Sequence, residues 1–291
     1  MSLHFPPQHE HVATHCPCCG SDALDKSPAV LMPFISDRVF GWAPVDITPE
    51  WELNAMKTGT CYAICNSVQC SECTHLFLDI RFDDDEMRRL YNGYREEAYT
   101  ALRERYEPGY RERNKDLDAG APYMADVEAF LAPHLPATPR VLDWGGDTGK
   151  NTPFKDNNRV LHIYDISNKA ALVAGACKVD RATALARQYD LVVCSNVLEH
   201  VPYPSDMVQD IVQAMGPETV LYVEVPLEEV VRGTDPLHRK RHWHEHVNFF
   251  SERSLSTLLD SCGLDVVARA QRQVAMCGGS PWIFQFACRR K

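Results

Sequence analysis

Cysteines are the residues whose spacing in this sequence most directly suggests a chemistry. Two Cys-x-x-Cys pairs lie in the first quarter of the 291-residue chain, Cys16 with Cys19 and Cys70 with Cys73. Such a pair lets two thiolates reach one ion, and two pairs together make a tetrahedral site. The pattern therefore predicts a structural Zn²⁺ bound by these four cysteines, with buried or free thiols as the alternative. A catalytic zinc is disfavoured, because four cysteine ligands leave no open coordination position.

The cysteines also indicate a separate module. Seven of the twelve lie between residues 16 and 73. In a reducing compartment such clustering is typical of metal binding rather than of disulfides. We predict a small Cys-rich zinc-binding domain at residues 1–82, in which residues 20–69 form an insertion between the two pairs.

Residues 83–119 are rich in tyrosine and arginine and are predicted to form a helical arm. Helix is expected over residues 83–116, with Arg95, Arg103 and Arg105 interleaved among the aromatic residues. The arm is either a connector whose aromatics pack on the following domain, or a lid whose arginines pair with a phosphate-bearing substrate. The sequence leaves both open, because both need aromatic residues on one face.

Short apolar runs alternate with helical patterns over residues 120–291. The runs RVLDW, RVLHIYD, YDLVVCSN and TVLYVEVP are rich in β-branched and aromatic residues, as are strands buried on both faces of a parallel sheet. Residues 251–262 are predicted to form a helix that begins at a capping serine and ends before a glycine. We therefore predict an α/β domain with a doubly wound, Rossmann-like sheet and helices on both faces.

The residues that follow these strands are the ones expected to contact a ligand, because ligands of such sheets bind at the carboxyl ends of the strands. Asp165 ends the second run, 22 residues after Asp143. The other residues in such positions are Gly145, Gly146 and Gly149 after the first run, and Asn196, Leu198, Glu199 and His200 after the third.

The runs VLDWGGDTGKN, IYDIS, YDLVVCSNVLEHV and VLYVEVP, in this order, resemble the motifs of class I S-adenosylmethionine-dependent methyltransferases. The resemblance implies a seven-stranded sheet whose last two strands pair, one of them antiparallel. It also implies S-adenosylmethionine as the cofactor, with Asp165 accepting hydrogen bonds from the ribose hydroxyls. The resemblance gives two further sets of contacts: a loop beside the methionine part, formed by Asp143, Gly145, Gly146 and Gly149, and a methyl-donor pocket lined by Asn196 and Leu198.

The first motif departs from the family at one position. The family pattern is D-x-G-x-G-x-G, and Asp147 stands where the middle glycine is usual. Aspartate is among the few residues that tolerate a left-handed backbone. We expect the loop to keep its conformation, and Asp147 could face the ammonium group of the cofactor.

Three histidines are candidates for the base that a methyl acceptor requires. Methyl transfer is an in-line displacement, and a hydroxyl or carbon acid must lose a proton to react. Histidine suits this task because its pKa lies near neutrality. His246, in a run that resembles the E-H-x-x-x-F-S pattern of sugar-modifying methyltransferases, is the first candidate, with His200 second and His244 third.

The whole layout resembles the deoxysugar C-methyltransferases, which act on nucleotide-linked sugars. Those enzymes carry a further C-terminal domain that this sequence does not show, so methylation of a hydroxyl or another acceptor fits as well as carbon methylation. We expect a methyltransferase of carbohydrate biosynthesis whose partner is a small, phosphate-bearing sugar or glycan precursor.

Charge and composition bear on the other classes of function. The net charge of −10 argues against a surface that grips nucleic acid. Neither a transmembrane run nor a signal-peptide pattern occurs, and we expect a cytoplasmic location. Two alternatives remain: a zinc-containing methyltransferase of RNA or protein, and a catalytically silent module that binds the cofactor or a partner.

Overall fold

The computed structural model describes residues 10–53, 55–118, 120–167, 169–232, 240–275 and 280–291. The N-terminal part of the chain forms a small sheet, a short helix and the arm, with a 3₁₀ turn at Pro49–Trp51. Its elements are β1 (Leu24–Leu31), α1 (Pro33–Phe40), β2 (Val45–Asp46), β3 (Thr60–Cys61), β4 (Ile64–Cys70), β5 (Leu76–Leu78), α2 (Asp84–Tyr91), α3 (Glu97–Tyr106) and α4 (Tyr110–Asp118).

The rest of the chain alternates helices and strands. Among the helices that the structure describes, none is long and apolar enough to cross a membrane. The elements are α5 (Met124–Leu131), followed by a 3₁₀ turn, then β6 (Arg140–Trp144), β7 (Val160–Tyr164), β8 (Ala176–Lys178), α6 (Arg181–Ala186), β9 (Leu191–Ser195), α7 (Pro204–Gln213), β10 (Val220–Leu227), α8 (Glu229–Arg232), β11 (His242–Trp243), β12 (Asn248–Phe249), α9 (Glu252–Ser261), β13 (Leu264–Gln273) and β14 (Trp282–Arg290).

A seven-stranded sheet organises this second part, in the order β13-β14-β10-β9-β6-β7-β8. The neighbours from β10 to β8 are parallel, whereas β14 is antiparallel to both β10 and β13. The four predicted strands and the antiparallel final strand are thereby confirmed. The chain order reverses between β6 and β9, so the loops that follow these two strands open onto a common crevice.

Helices cover both faces of this sheet. Successive strand residues point to opposite faces, and they join different cores. Leu142 lies in the cluster that contains the apolar residues of α7 and α9. Val141 lies in the cluster that contains those of α5. The α/β class with helices on both faces is confirmed.

The five-stranded N-terminal sheet includes two strands from far along the chain. Its order is β11-β1-β4-β5-β12, and β11 runs parallel to β1 while β12 runs antiparallel to β5. The segment that carries the candidate bases His244 and His246 is therefore fixed between two strands of the N-terminal sheet. The division of the chain at residues 82 and 119 stays a prediction.

The arm is helical, but the continuous helix predicted over residues 83–116 is wrong at two places. Helix α2 ends before Gly93 and Arg95, which both have positive φ angles of 64° and 61°, and Gly109, with φ of 89°, separates α3 from α4. Most L-residues avoid such angles, so the helix stops there. The tyrosines of the arm pack with Phe34 and Ile35 of α1. The same cluster includes Trp243, Val247 and Phe249, so the arm packs both on the preceding module and on the segment that carries His244 and His246.

Helix α9 begins as the sequence predicts. The hydroxyl of Ser251 accepts a hydrogen bond from the backbone N–H of Ser254, and the Ser254 hydroxyl accepts one from the backbone of Ser251. This reciprocal cap satisfies two N–H groups at the start of the helix. It also fixes the end of the segment that carries His246.

Candidate active site

The loop after β6 requires its glycines. A Cβ atom on Gly145 would lie 2.5 Å from Val197 Cγ2, and one on Gly149 would lie 2.5 Å from Ile163 Cδ1. At Gly146 it would meet the carboxyl group of Asp143 at 2.4 Å. The backbone is therefore packed so closely against its surroundings at these positions that a side chain on any of the three would displace a neighbour.

Asp143 supports this loop from beneath. Its side chain is buried and accepts a hydrogen bond from the hydroxyl of Thr152. Burial raises the pKa of Asp143 to about 7, against the lowering effect of the Thr152 hydrogen bond. A carboxyl group at this depth can hold the loop in place but offers little surface to a ligand.

Asp165 and Asp147 connect the loop after β6 to the end of β7. The backbone N–H of Asp147 donates to Asp165 Oδ2 over 2.9 Å, and that of Ser167 donates to Asp165 Oδ1 over 2.6 Å. Asp147 adopts a φ of 45°, and its carboxylate faces Lys169 Nζ at 3.5 Å and the Ser167 hydroxyl at 3.2 Å. Each oxygen of Asp165 keeps a further lone pair, so its carboxylate can still accept from a diol.

A carboxylate with five donors closes the other side of the crevice. Glu224 on β10 is fully buried. Its Oε1 accepts from Tyr123, Ser195 and Asn196 over 2.8–3.0 Å, and its Oε2 accepts from Tyr222 and Gln285 over 2.5 and 3.3 Å. Burying a charge costs stability unless it is hydrogen-bonded, and these donors supply that compensation.

Asn196 and Leu198 occupy different environments. Asn196 is exposed, with a φ of 54°, and its side-chain amide is held by Glu224. Leu198 has no exposed surface and packs within the apolar core beneath the loop. The geometry brings Asn196 to the rim of the crevice, whereas Leu198 presents no side-chain surface to it.

The three candidate bases lie together beside the end of β9. The ring centres of His200 and His246 are 4.6 Å apart, and those of His244 and His246 are 4.8 Å apart. Three carboxylates accompany them, from Glu199, Glu228 and Glu245. We call these six residues the histidine cluster.

Hydrogen bonds distinguish the three imidazoles. His246 Nδ1 contacts Glu228 Oε1 at 3.3 Å, so Nδ1 carries the proton of the neutral ring and Nε2 keeps its lone pair. His244 Nδ1 accepts from the backbone N–H of His246 over 3.2 Å, so its Nε2 carries the proton. His246 can therefore accept a proton at Nε2, whereas neutral His244 cannot.

The pKa values of His200 and His246 are shifted in opposite directions. Burial lowers the pKa of His200 to about 3, so that ring stays neutral. Burial alone would also lower the pKa of His246, but the hydrogen bond to Glu228 and the charges of Glu199 and Glu245 raise it above its usual value. His246 is thus the one of these three rings whose pKa is raised.

The four predicted zinc ligands form a buried cluster. The Sγ atoms of Cys16 and Cys73 are 3.5 Å apart, those of Cys19 and Cys70 are 3.6 Å apart, and all four lie within 4.8 Å of one another. Zn–S bonds of about 2.3 Å in a tetrahedron place sulfur atoms about 3.8 Å apart. The donor set and its spacing fit a zinc ion. The turn after Cys73 is fixed to the start of α9 by a 2.6 Å bond between the hydroxyls of Thr74 and Ser251.

Comparison with known proteins decides the family. A family model described as a methyltransferase domain matches residues 109–269, more than half of the chain. The chain belongs to the methyltransferase domain family. The predicted enzyme class, a methyltransferase, is thereby confirmed. The comparison with curated proteins gave no match.

Solved structures similar to this methyltransferase have low sequence identity to it. The 1,6-didemethyltoxoflavin N1-methyltransferase of Burkholderia thailandensis, with bound 1,6-didemethyltoxoflavin and S-adenosylhomocysteine, is 16% identical, with 76% of this chain and 97% of that chain covered and a TM-score of 0.49. An S-adenosylmethionine-dependent methyltransferase of Methanosarcina mazei is 15% identical, with 55% and 96% covered and a TM-score of 0.42.

Asp147 in this methyltransferase permits a direct prediction. We expect Asp147→Gly to change the free energy of unfolding by less than about 1 kcal/mol, because glycine adopts a positive φ freely and the half-exposed Lys169 pair is worth about 0–1 kcal/mol. Asp147→Ala should destabilise by about 1 kcal/mol more, since alanine resists the left-handed region. Urea denaturation of both variants measures this difference. Equal losses of unfolding free energy in the two variants would show that the ion pair with Lys169, and not the backbone conformation, determines the effect of a substitution here.

Sequence reasoning missed several positioning residues of this methyltransferase. Asn248 is buried and donates to the backbone oxygens of Leu198 and Val201, while its Oδ1 accepts from the buried Arg81. It thereby ties the loop of His200 to the N-terminal sheet. Glu228 was also missed, because only its contact with His246 in the folded chain assigns it to the histidine cluster. For Glu224 a signal existed, namely a carboxylate within an otherwise apolar strand.

The arm contacts the histidine cluster rather than leaving its arginines free for phosphate. Tyr91 OH lies 3.0 Å from His200 Nδ1. Arg103 is buried and donates to both Glu245, at 2.6 Å, and Glu107. These contacts disfavour the alternative in which Arg103 pairs with a substrate phosphate, because two carboxylates already neutralise it. The guanidinium groups of Arg95 and Arg105 lie over the rings of Tyr94 and Tyr106.

Proposed function

We propose that this methyltransferase transfers the methyl group of S-adenosylmethionine to a sugar-containing small molecule, such as a nucleotide-linked sugar or a glycan precursor. The observation that carries the proposal is the position of the histidine cluster. His200 and Glu199 follow β9 directly, and β9 is next to β6, whose loop is built from the three glycines. A proton acceptor thus lies beside the loop proposed for the methyl donor.

S-adenosylmethionine would be held by the loop of Gly145, Gly146 and Gly149 and by Asp165. The lone pairs that remain on the Asp165 carboxylate suit the two hydroxyls of a ribose. Asn196, held at the rim by Glu224, would face the reacting group. Bound S-adenosylmethionine supplies an electrophilic methyl group on a sulfonium.

His246 would remove the proton of the acceptor. Its Nε2 lone pair is available while Glu228 holds Nδ1, and this pairing keeps the ring in one orientation. His200 stays neutral and is oriented by Tyr91. Lys240, whose ammonium lies 4.5 Å from the ring centre of Phe249 beside the cluster, would offer a charge to a substrate phosphate.

Zinc at the four cysteines would have a structural role. The cysteine cluster and helix α9 share one apolar core, and α9 follows the segment that carries His246. A bound ion would supply cross-links between the two Cys-x-x-Cys turns.

Transfer of labelled methyl from S-adenosylmethionine to a panel of nucleotide-linked sugars tests the proposal. Label should reach at least one sugar in the presence of the wild-type protein, at a rate at least about 100-fold higher than with His246→Gln. Label that reaches RNA or protein, but no sugar, would contradict the acceptor class.

The acid limb of the pH–rate profile tests the base. His246 must be neutral to accept a proton, so activity should rise with pH through its raised pKa. Glu199, Glu245 and Glu228 raise that pKa, while burial lowers it and Lys240 lies beside Glu228. Burial raises the pKa of Glu199 to about 7. The acid limb of the wild-type profile therefore reports the coupled titration of Glu199 and His246.

Glu228→Gln isolates the contribution of His246. Loss of the carboxylate should lower the pKa of His246 and move the limb of kcat to lower pH. Glu229→Gln, a change at the exposed neighbouring residue, is the control and should leave the limb in place. A limb that moves to higher pH, or stays unmoved in Glu228→Gln, would contradict the role of His246 as base.

A further inference from the structure

Three side chains of the histidine cluster lie close together, and among the described residues no hydrogen-bond donor serves the Glu199 Oε2 atom between them. One ligand atom from each of Glu199, His200 and His246 lies within 4.8 Å of the other two. The Glu199 side chain is 1% exposed, and its Oε2 has no hydrogen-bond partner among the residues that the structure describes. A buried carboxylate oxygen without a partner is costly, so this atom indicates a missing donor.

The two histidines do not supply that donor. With Nδ1 of His246 donating to Glu228, its Nε2 is an acceptor. His200 Nδ1 lies 3.2 Å from the backbone oxygen of Glu245 and 3.0 Å from Tyr91 OH; because a carbonyl only accepts and a hydroxyl can also accept, Nδ1 carries the proton and Nε2 is again an acceptor. The group therefore holds a carboxylate and two imidazole nitrogens that can accept, with one ligand atom of each side chain within 4.8 Å of the others around one point. A ligand at that point needs several donors.

Charge around the point favours a cation. Glu228 and Glu245 also belong to the cluster, and Arg103 neutralises only Glu245, at 2.6 Å. The three carboxylates of the cluster thus outnumber the one guanidinium that pairs with them. A cationic group would both satisfy Glu199 Oε2 and reduce the repulsion among the carboxylates.

The spacing of the acceptors distinguishes an ammonium from a metal ion. A tetrahedral ion with bonds of about 2.0–2.2 Å holds its ligand atoms about 3.4 Å apart. An ammonium with hydrogen bonds of about 2.9 Å holds its acceptors about 4.1–4.7 Å apart. Glu199 Oε1 and His200 Nε2 are 3.9 Å apart, which lies between the two spacings and nearer to that of an ammonium, whereas the four cysteines have the closer spacing of a metal site.

We infer that Glu199, His200 and His246 bind the ammonium group of an amino sugar, and that its nitrogen is the atom methylated. Three N–H donors of the ammonium match the three acceptors. The inference rests on the proposed function, which supplies the methyl donor, and it names the acceptor atom that the proposal leaves open.

The reaction balances without a further reactant. The ammonium R–NH₃⁺ gives one proton to His246 Nε2 and becomes R–NH₂. The nitrogen lone pair then attacks the methyl carbon, and the carbon–sulfur bond breaks with its electron pair going to sulfur. The products are S-adenosylhomocysteine and R–NH₂⁺–CH₃. Glu199 holds a remaining N–H in the transition state, which fixes the direction of the lone pair.

The first test compares matched acceptors. Labelled S-adenosylmethionine is supplied with pairs of nucleotide-linked hexoses that differ only by an amine or a hydroxyl at carbon 2, 3 or 4. We expect label on an amine member, at least about tenfold faster than on its hydroxyl partner, and expect Glu199→Gln to remove this preference. Glu218→Gln, 90% exposed, is the control. Comparable labelling of a hydroxyl member would overturn the inference.

The second test needs neither turnover nor a variant, and it decides the matter if no pair is labelled. Methylammonium, methanol and Zn²⁺ are titrated separately into the zinc-loaded protein, and the imidazole ¹⁵N shifts of His200 and His246 are followed. We expect saturable shifts with methylammonium alone. No shift with methylammonium, an equal response to methanol, or tight binding of a second Zn²⁺ would overturn the inference. Loss of S-adenosylmethionine binding would defeat the proposed function but leave this titration unchanged, so the two failures are distinguishable.

Discussion

His246→Gln is expected to lower kcat by about 10²–10⁴-fold, the contribution of a general base. Glutamine fills a similar volume and can still bond to Glu228, but it cannot take up a proton. The affinity for S-adenosylmethionine should stay within about twofold, because the glycines and Asp165 proposed to hold the cofactor lie in the loops that follow β6 and β7. Steady-state kinetics and a binding titration on the same preparation measure both quantities.

His242→Gln is the matched control for this variant. His242 lies on the same segment, but its side chain is exposed and outside the cluster. Its substitution should leave kcat within about twofold of wild type. A kcat for His246→Gln that is equally unaffected would remove His246 from the chemistry and turn attention to His200.

Cys70→Ser should have the largest effect on stability. Structural zinc binding is worth about 10–16 kcal/mol in small zinc modules, and that free energy contributes to folding. Loss of one of four thiolates should release the ion, and the core shared by the cysteine cluster and α9 should loosen. We expect about one zinc per chain in the wild type and none in Cys70→Ser, together with a melting temperature lower by at least about 10 °C.

Cys65→Ser is the control for this experiment, because Cys65 is a buried thiol outside the four-cysteine cluster. It should lose some stability through a buried hydroxyl, about 1–3 kcal/mol, but keep its zinc. Elemental analysis and thermal denaturation of both variants give the comparison. A wild-type protein that takes up no zinc, or a Cys70→Ser variant that retains it, would contradict the structural role.

Local sequence patterns predicted the central sheet well because its strands are short, buried and nearly all apolar. Residues 140–144 and 220–227 contain little that could face water, so a strand buried on both faces is the natural outcome. The cap of α9 was predictable for a similar reason, since Ser251 and Ser254 satisfy each other within four residues. The three glycines of the β6 loop were predictable from their spacing.

Contacts between distant parts of the chain were not predictable in this way. Strands β11 and β12 have two residues each, too few for a periodic pattern, and only pairing with β1 and β5 defines them. The role of Arg103 stayed open between a packing contact and a phosphate contact, because no local signal places Glu245, 142 positions away, at its guanidinium. Glu228 belongs to the cluster through the same kind of long-range contact.

Calorimetric titration of the zinc-loaded protein with S-adenosylmethionine tests the central claim most directly. The account predicts binding in the micromolar range by the wild type, its loss in Asp165→Ala, and no heat from an NAD control. Retention of binding by Asp147→Gly would show that the loop accepts either residue. Absence of binding by the intact wild-type protein would contradict the proposed methyl transfer and favour a catalytically silent module.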